Sequence, residues 1–355
     1  MDDQEEITGQ YDDGNRAFLQ AFMARGTLTL KQARPILAAI FTEQEGEATD
    51  PRQVTEEDFE SYVSAASAAV SPFDLEIRST VHQVRGERVY ALVNTTSDPM
   101  AQMATLHSAE EIAFVKRVID AMFEKYNSRR MEAMCLDGMQ ANKFRSPPQR
   151  NPADEDVGEQ QQEEENDGDT QQAATQRPAL KGLRPSEAEA MMRSMVEEGW
   201  FERSAEGLYS LSPRALMELR SWLVESYNDP DAEDGEWQRV KFCAACKEVV
   251  TAGQRCAQVD CNVRLHDMCT DAFWRTRRET KCPACRRDWD GRHFVGERAI
   301  TETEAYKRGR RRSGRGGASS SGTGGGGQGR NSNLMEEVME ENADLDDEDD
   351  DDAEN

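Results

Sequence analysis

The sequence has no long apolar run, few aromatic residues and almost no cysteine outside one short segment. No apolar run approaches the length of a transmembrane helix, which excludes a membrane-spanning protein. Acidic residues follow Met1 where a leader would be basic and apolar, so we expect no secretory signal. With 37% hydrophobic, 7% aromatic and 32% charged residues, parts of the chain are expected to remain unfolded.

The net charge of −26 is concentrated in two segments. Residues 154–169 carry nine acidic residues and no basic one, and residues 335–355 carry thirteen acidic residues and no basic one. Together they account for 22 of the 26 excess negative charges, whereas residues 241–299 carry twelve basic against eight acidic residues. The acidity therefore belongs to a linker and a tail, where like charges oppose compaction.

Seven of the eight cysteines lie between residues 243 and 285, together with one of the four histidines. In chain order these residues are Cys243, Cys246, Cys256, Cys261, His266, Cys269, Cys282 and Cys285. Cys-x2-Cys pairs with a histidine are typical of zinc sites, and these eight side chains can supply all four ligands to each of two tetrahedral zinc ions. A site with four protein ligands leaves no position for substrate, so both ions would be structural.

Disulfides between these cysteines are the competing interpretation. The remaining cysteine, Cys135, lies outside the segment and is expected to be a small buried side chain.

Helical periodicity followed by strand alternation predicts a first module near the amino end. The helical stretches are 14–25, 29–41 and 55–70. Alternating residues on both sides of Arg85-Gly86 then indicate a hairpin, and a long helix follows from Ser108. Three short helices and a hairpin describe a winged-helix module.

The same pattern recurs after residue 178. Methionines at helical spacing, Met191, Met192 and Met195, indicate a core-facing helix, and a turn at 204–207 indicates a second hairpin. Ser212-Pro213 then starts another helix. Capping boxes are predicted for Thr29 with Gln32, Ser108 with Glu111, and Ser186 with Glu189. We therefore predict a second winged-helix module.

These observations predict an α+β, multidomain chain with disordered acidic segments. The predicted divisions are a first winged-helix module with its long following helix (1–140), a disordered acidic linker (141–177), a second winged-helix module (178–235), a two-zinc domain (236–300) and a disordered tail, first basic and Gly-rich, then acidic (301–355). Order is expected to be lost after Arg298. The basic cluster 307–312 within this tail is interpreted as a nuclear-import signal, a nucleic-acid contact or a solvated cluster.

The two helices that would read DNA carry the wrong charge for that role. The helix at 56–70 begins with Glu56, Glu57 and Asp58 and has no basic residue, and the one at 187–198 has four glutamates against Arg193. Phosphate contacts need lysine and arginine. We therefore expect DNA contact to be indirect at most, and both modules to dock proteins.

The cysteine segment resembles a RING-type zinc domain with ligands in the order four cysteines, one histidine, three cysteines. Its last pair encloses Pro283, and Arg286 follows directly, as in many RING ubiquitin ligases. The same ligand order also fits a PHD finger, which reads histone tails. A PHD finger usually has an aromatic residue two positions before its seventh ligand, where this chain has Thr280. Spacing alone leaves open how the ligands divide between two ions.

The RING resemblance implies interleaved ligation and a docking surface for a ubiquitin-conjugating enzyme. It assigns Cys243, Cys246, His266 and Cys269 to one zinc ion, and Cys256, Cys261, Cys282 and Cys285 to the other. It gives Ala245, Phe273, Trp274 and Pro283 as docking candidates, with Arg286 restraining ubiquitin. Strong ligases have a bulky apolar residue where this chain has Ala245, so its own affinity for the conjugating enzyme is expected to be weak.

Two winged-helix modules followed by this zinc pattern resemble the non-structural maintenance of chromosomes element 1 family. These are the RING-bearing subunits of the Smc five/six chromosome complex. The opening segment 16–26 is similar to that family's start, and the resemblance covers roughly 14–140 and 178–300. It implies a nuclear, chromosome-associated RING-type E3 ubiquitin ligase in DNA repair and recombination. It also implies pairing with a MAGE-like winged-helix subunit and a kleisin subunit.

Two other classes of function are weighed against the ligase. One is a structural adaptor of the same complex, whose zinc domain is only a rigid docking block. The other is a PHD-like reader of histone tails. Discharge of ubiquitin from a charged conjugating enzyme would separate the ligase from both.

Overall fold

Helices and short strands alternate along the chain, and this computed structural model describes residues 11–95, 106–147, 181–233, 235–315 and 338. Most of the predicted acidic linker, and the acidic tail apart from residue 338, therefore lie outside the described residues. Among the helices that are described, none combines the length and the apolar character needed to cross a membrane.

Residues 11–95 pack three helices against a three-stranded antiparallel sheet. The elements are α1 (Asp13–Met23), β1 (Thr27–Thr29), α2 (Leu30–Glu45), α3 (Glu56–Val70), β2 (Leu75–Val81) and β3 (Arg88–Asn94). The sheet order is β1-β3-β2. The predicted helices and hairpin are present, and β1 was missed because three residues are too few to show alternation. The winged-helix assignment itself stays a prediction.

Aromatic contacts hold the centre of this first module. The fully buried Phe18 ring lies 6.1 Å from Phe59 and 5.5 Å from Tyr62, both edge to face. The Phe59 ring meets Tyr90 of β3 at 4.9 Å. Edge-to-face packing is the arrangement that aromatic quadrupoles favour, so these contacts join the helices to the sheet.

Capping boxes set the helix starts, two of them where they were predicted. Gln32 N donates to Thr29 Oγ1 at 3.3 Å, and Thr29 N donates to Gln32 Oε1 at 2.9 Å. The box of Ser108 and Glu111 is also confirmed. The predicted box of Ser186 and Glu189 is wrong.

The second module's first helix starts earlier than the sequence suggested. Pro185 occupies the first helical position, a place that suits proline because no hydrogen bond from its nitrogen is needed there. The helix start is therefore shifted toward the amino end. Arg184 N donates to Glu187 Oε2 at 2.8 Å, but the arginine side chain has no acceptor that could complete a capping box.

A helix and an irregular segment connect the first module to the second. Helix α4 (Ala109–Asp120) continues as one π-helical turn (Ala121–Lys125), and α5 (Gly138–Lys143) follows. The predicted linker start at residue 141 therefore falls inside a helix, where Ala141 is 2% exposed. The buried side chains of α4 belong to the core of the second module and the zinc domain, so the core divides between residues 95 and 106, not at residue 140.

The second module contains a short hairpin between helices. Its elements are α6 (Pro185–Glu197), β4 (Phe201–Arg203), β5 (Tyr209–Leu211), α7 (Pro213–Glu218) and α8 (Arg220–Tyr227). The methionine stripe is core, as predicted, because Met191, Met192 and Met195 are at most 3% exposed. Cys135 is likewise buried beside this core.

The cysteine-rich region has little regular structure. Its elements are β6 (Gly253–Arg255), β7 (Arg264–Leu265), α9 (Asp267–Arg275) and β8 (Phe294–Val295), with sheet order β7-β6-β8. Strands of two or three residues bury little surface, so this region needs a further source of stability.

Order continues beyond the predicted end at Arg298. Helices α10 (Glu297–Thr301) and α11 (Glu304–Arg315) follow, so the prediction of a disordered segment from residue 301 is wrong up to residue 315. The reason is burial of two apolar anchors, Ile300 and Tyr306, which are at most 1% exposed. The Tyr306 hydroxyl also donates to Glu206 Oε2 at 3.2 Å, which joins α11 to the second hairpin.

Candidate metal centres

The two Cys-x2-Cys pairs form the same tight turn. Lys247 N donates to Cys243 O at 3.0 Å, and Arg286 N donates to Cys282 O at 3.1 Å. Lys247 and Arg286 have φ angles of 65° and 63°, a left-handed conformation that residues other than glycine seldom adopt. Two segments far apart in sequence thus share one backbone geometry around a cysteine pair.

The eight predicted ligands gather into two groups of four, in each of which the ligand atoms lie within 4.8 Å of one another. The first cluster is Cys243, Cys246, His266 and Cys269; the second cluster is Cys256, Cys261, Cys282 and Cys285. The two clusters alternate along the chain, pair by pair. They coincide with the interleaved sets that the RING resemblance implies.

Sulfur separations within the clusters suit a tetrahedral zinc ion. Cys256 Sγ lies 3.4 Å from Cys285 Sγ, and Cys261 Sγ lies 3.6 Å from Cys282 Sγ. Four bonds of about 2.3 Å to one zinc ion would place the sulfurs about 3.8 Å apart. All eight cysteines lie in the described part of the chain and all are free thiols, which argues against the disulfide interpretation.

A backbone hydrogen bond aims His266 into the first cluster. His266 is 4% exposed, and its Nε2 lies 3.2 Å from Val249 O, to which it donates. The other ring nitrogen, Nδ1, lies 3.3 Å from Cys246 Sγ and is left as the ligand atom. Such partners fix the tautomer and orientation of metal-binding histidines. With four soft or borderline donors in each cluster, the residues fit zinc, which would link distant chain segments and leave no catalytic position.

The predicted docking residues lie in the two cysteine turns and on helix α9. Ala245 and Arg286 are exposed, and Pro283 and Trp274 are half-buried. The Trp274 ring lies 5.5 Å from Trp289, which follows the second turn, so α9 packs against that turn. Phe273 is only 8% exposed and therefore offers little area to a partner.

The hairpin of the first module reaches the first cluster through Gln83. Gln83 Nε2 donates to Val249 O at 2.9 Å, and the backbone nitrogens of Thr251 and Ala252 donate to Gln83 Oε1 at 2.9 and 2.8 Å. Val249 O also accepts the hydrogen bond of His266. One carbonyl oxygen therefore connects the hairpin to a metal ligand.

Replacing Gln83 by alanine is expected to speed zinc release from the first cluster and leave the second unchanged. A group that hydrogen-bonds directly to a metal ligand contributes about 10–100-fold to metal affinity. Gln83 bonds to the partner of His266 and not to His266 itself, so we expect zinc release to be only about 3–10-fold faster. Competition with a chromogenic chelator would resolve the two release phases. Gln44→Ala, in the same module but bonded to Asp12, is the matched control. Identical release phases in wild type and Gln83→Ala would contradict this role.

A buried carboxylate joins the zinc domain to the rest of the chain. Glu132, on the segment after α4, is 1% exposed and accepts hydrogen bonds from Arg264 Nε at 2.7 Å and Lys241 Nζ at 3.1 Å. A second Arg264 nitrogen also donates to it, and Arg255 lies 3.6 Å away. Glu132 O accepts from Gly296 N at 2.7 Å. We call Glu132, Lys241, Arg255 and Arg264 the Glu132 cluster.

The charges of the Glu132 cluster are unequal. Burial alone would raise the pKa of Glu132. The positive charges of Arg264 and Lys241 together outweigh burial and lower the pKa to about 2, so Glu132 is ionised at neutral pH. Burial lowers the pKa of Lys241 to about 7, although Glu132 opposes that shift. One carboxylate thus faces two guanidinium groups and one amine that is partly protonated at neutral pH.

Neither Glu132 nor Gln83 was identified from the sequence. Each is a single polar residue within a segment that has no motif, and its partners lie more than 100 residues away in the chain. The signal that the sequence does offer is two arginines, Arg255 and Arg264, in short strands of the zinc domain, since a basic residue in such a strand indicates a buried ion pair. A buried cation requires a partner, but the sequence does not say which.

The fold and the two clusters define a multidomain protein that carries a RING-like domain with two zinc sites, each closed by four protein ligands. A RING-like domain model matches residues 243–285. The model of the family described as Nse1 non-SMC component of SMC5-6 complex matches residues 15–219, more than half of the chain. The chain belongs to this family, which confirms the resemblance seen in the sequence.

Relatives from animals and yeast match most of the chain. The rat non-structural maintenance of chromosomes element 1 homolog is 23% identical over 79% of this chain and 85% of its own. The human homolog is 22% identical over the same shares, and the Schizosaccharomyces pombe protein is 22% identical over 67% and 79%. A solved chain of an Nse1-Nse3-Nse4 complex matches with a TM-score of 0.56 and 19% identity, covering 79% of this chain and 98% of that one. At that identity the match shows the fold alone.

Proposed function

We propose that this protein is the RING-type E3 ubiquitin ligase subunit of an Smc five/six complex. The observation that carries the proposal is the surface made by the second cysteine turn and α9. Pro283, Arg286 and Trp274 reach solvent there, on a backbone that the metal ligands Cys282 and Cys285 hold in place. A rigid surface of this kind suits docking of another folded protein.

The reaction needs no nucleophile from this chain. A ubiquitin-conjugating enzyme carries ubiquitin as a thioester. The amine of a substrate lysine attacks the carbonyl carbon and forms an isopeptide bond, the carbon–sulfur bond breaks, and the enzyme's cysteine leaves as a thiolate that takes up the proton lost by the amine. The RING-like surface holds the conjugating enzyme, and Arg286 restrains ubiquitin against it. This is catalysis by positioning, which reduces the orientational freedom of the thioester.

The weak part of this surface is the first cysteine turn. Ala245 offers one methyl group, and Phe273 is largely buried, so little apolar area is available to the conjugating enzyme. We therefore propose that activity depends on the MAGE-like partner. The solved relative comes from an Nse1-Nse3-Nse4 complex, which supports corresponding MAGE-like and kleisin partners for this chain.

The family also bears on where and why this chain acts. Membership in a family named for a chromosome complex supports a nuclear, chromosome-associated protein in DNA repair and recombination. The acidic residues at the start of α3, Glu56, Glu57 and Asp58, support protein docking over direct DNA contact.

The Arg286→Ala variant is expected to lower ubiquitin discharge from a charged conjugating enzyme at least about tenfold, since it removes the positioning contact. The assay uses the full chain with the MAGE-like partner. Arg287→Ala, which removes the neighbouring exposed arginine, is the matched control and should keep activity. Zinc content measured on both variants excludes loss of the fold.

A second candidate function is a structural adaptor of the same complex. The buried Glu132 cluster and the Gln83 contact hold the zinc domain rigidly on the other modules, as expected of a docking block. If ubiquitin discharge stays at background both with and without the MAGE-like partner, the ligase proposal is rejected and the adaptor function is supported.

A further inference from the structure

A ridge of basic side chains lies between the end of helix α9 and the second cysteine turn. It consists of Arg275, Arg277, Arg278 and Lys281, and we call these four residues the basic ridge. Every residue from 275 to 281 is exposed, and every one of them is polar or charged. Glu279 is the one acidic residue in this stretch, so its seven residues carry a net charge of +3.

Most of this positive charge has no partner within the fold. Lys281 Nζ lies 3.2 Å from Glu279. Within the described ranges, no carboxylate forms an ion pair with any of the three arginines of the ridge. The next acidic residues along the chain, Asp271 and Asp288, are exposed and form no ion pair with the ridge among the described contacts. The ridge therefore presents three guanidinium groups that are available to an anionic partner.

The backbone of the basic ridge is fixed at both ends. On α9, the Trp274 ring lies 5.5 Å from the Trp289 ring, and Arg277 N donates to Trp274 O at 3.0 Å. At the other end, Cys282 is a ligand residue of the second cluster. The Arg277 guanidinium also lies 4.2 Å from the centre of the Phe273 ring, a cation–π contact. Since the ridge is already held in place, little conformational freedom is lost when it binds a partner.

The composition of the ridge favours a phosphate backbone over a protein surface. Interfaces between folded proteins contain a buried apolar centre, and residues 275–281 offer no apolar side chain for one. Contacts to nucleic-acid phosphates depend on charge, and the planar fork of arginine matches the geometry of a phosphate group. The partner that fits the ridge is therefore a nucleic acid.

We propose that the basic ridge binds the phosphate backbone of duplex DNA. A DNA duplex carries one negative charge per about 1.7 Å of its axis, so several cations of the ridge can each meet a phosphate. The relatives are named for the maintenance of chromosomes, which favours DNA over RNA. Phosphate contacts carry no sequence information, so we expect binding that does not depend on base sequence.

This inference replaces the expectation that contact with DNA is indirect at most. That expectation came from the acidic helices α3 and α6, which stay unsuited to phosphates. The zinc domain carries the opposite charge on its ridge. The proposal does not depend on ligase activity, because no step of the ubiquitin transfer involves the four residues of the ridge.

The test measures binding of the full chain to a fluorescein-labelled DNA duplex of mixed sequence by anisotropy, over a series of salt concentrations. The double variant Arg275→Glu/Arg278→Glu is expected to bind at least about tenfold more weakly than wild type. The slope of log affinity against log salt concentration should also become shallower by about 2, since each lost phosphate contact removes about 0.9.

The matched control is the double variant Arg52→Glu/Arg193→Glu, which makes the same charge change at side chains that are 90% and 65% exposed on the other two modules. It should bind the duplex as wild type does. Two zinc ions per chain in both double variants would show that neither change has unfolded the zinc domain.

Three results would overturn the proposal. One is equal affinity and equal salt slope in wild type and the ridge variant. Another is an RNA duplex that binds wild type more tightly than a DNA duplex of the same sequence and is lost in the ridge variant, which would make the ridge an RNA site. The third is no binding of the DNA duplex to wild type. If a labelled acidic peptide of sequence 344–355 then binds wild type and not the ridge variant, the ridge is a site for an acidic protein segment.

Discussion

Replacing Glu132 by glutamine is expected to lower the free energy of unfolding by about 3–5 kcal/mol, because removing one partner of a buried ion pair leaves the other charges uncompensated. The carboxylate is 1% exposed and lies within 3.6 Å of Lys241, Arg255 and Arg264. Glutamine keeps the shape and loses the charge. Urea unfolding followed by tryptophan fluorescence would measure the change.

The matched control for this variant is Glu124→Gln. Glu124 is an exposed carboxylate on the π-helical turn eight residues earlier, so its loss should change stability by less than about 0.5 kcal/mol. We also expect limited proteolysis to cut the zinc domain of the Glu132 variant before the rest of the chain, since the cluster attaches that domain to the segment after α4. Equal stability of the two variants would mean that the Glu132 cluster does not hold the zinc domain in place.

Removing zinc is expected to unfold the region from Cys243 to Val295 and to lower the melting temperature of the whole chain by more than about 10 °C. The strands there contain two or three residues, and the segment between them is held by metal ligands. Trp289 reports the loss, because its Nε1 donates to Gln254 Oε1 at 2.9 Å within this region. Calorimetry with and without a zinc chelator would measure the shift.

Re-addition controls separate metal binding from side effects of the chelator. Excess zinc should restore the original melting temperature, whereas magnesium, which prefers oxygen ligands, should not. A chain that melts at the same temperature after its metal has been removed would contradict a structural role for zinc.

The zinc ligands could be predicted from sequence because their chemistry depends on residue type and spacing within 43 residues. The helices and hairpins of both modules could be predicted because their apolar residues recur at regular spacing and local capping residues such as Thr29 and Gln32 mark their starts. These signals are local, so they can be read from the sequence without knowledge of the fold.

The supports of the zinc domain could not be predicted because they depend on contacts between distant segments. Glu132 and Gln83 acquire their roles from Arg264 and Val249, more than 100 residues away. Helix α11 was missed for a similar reason. Its sequence is basic and leads into a tract rich in glycine and serine, but Tyr306 is buried and bonded to Glu206. Tertiary contacts here outweigh local composition.

Native mass spectrometry of the purified full chain, with thiol counting after chelation, tests the central claim most directly. The two clusters predict a chain that carries two zinc ions and yields eight free cysteine thiols once the metal is removed. A chain that carries no metal, or one whose cysteines prove to be cross-linked in disulfides, would contradict the two closed zinc sites. The proposed docking surface of Pro283, Arg286 and Trp274 and the proposed ligase function both depend on those sites.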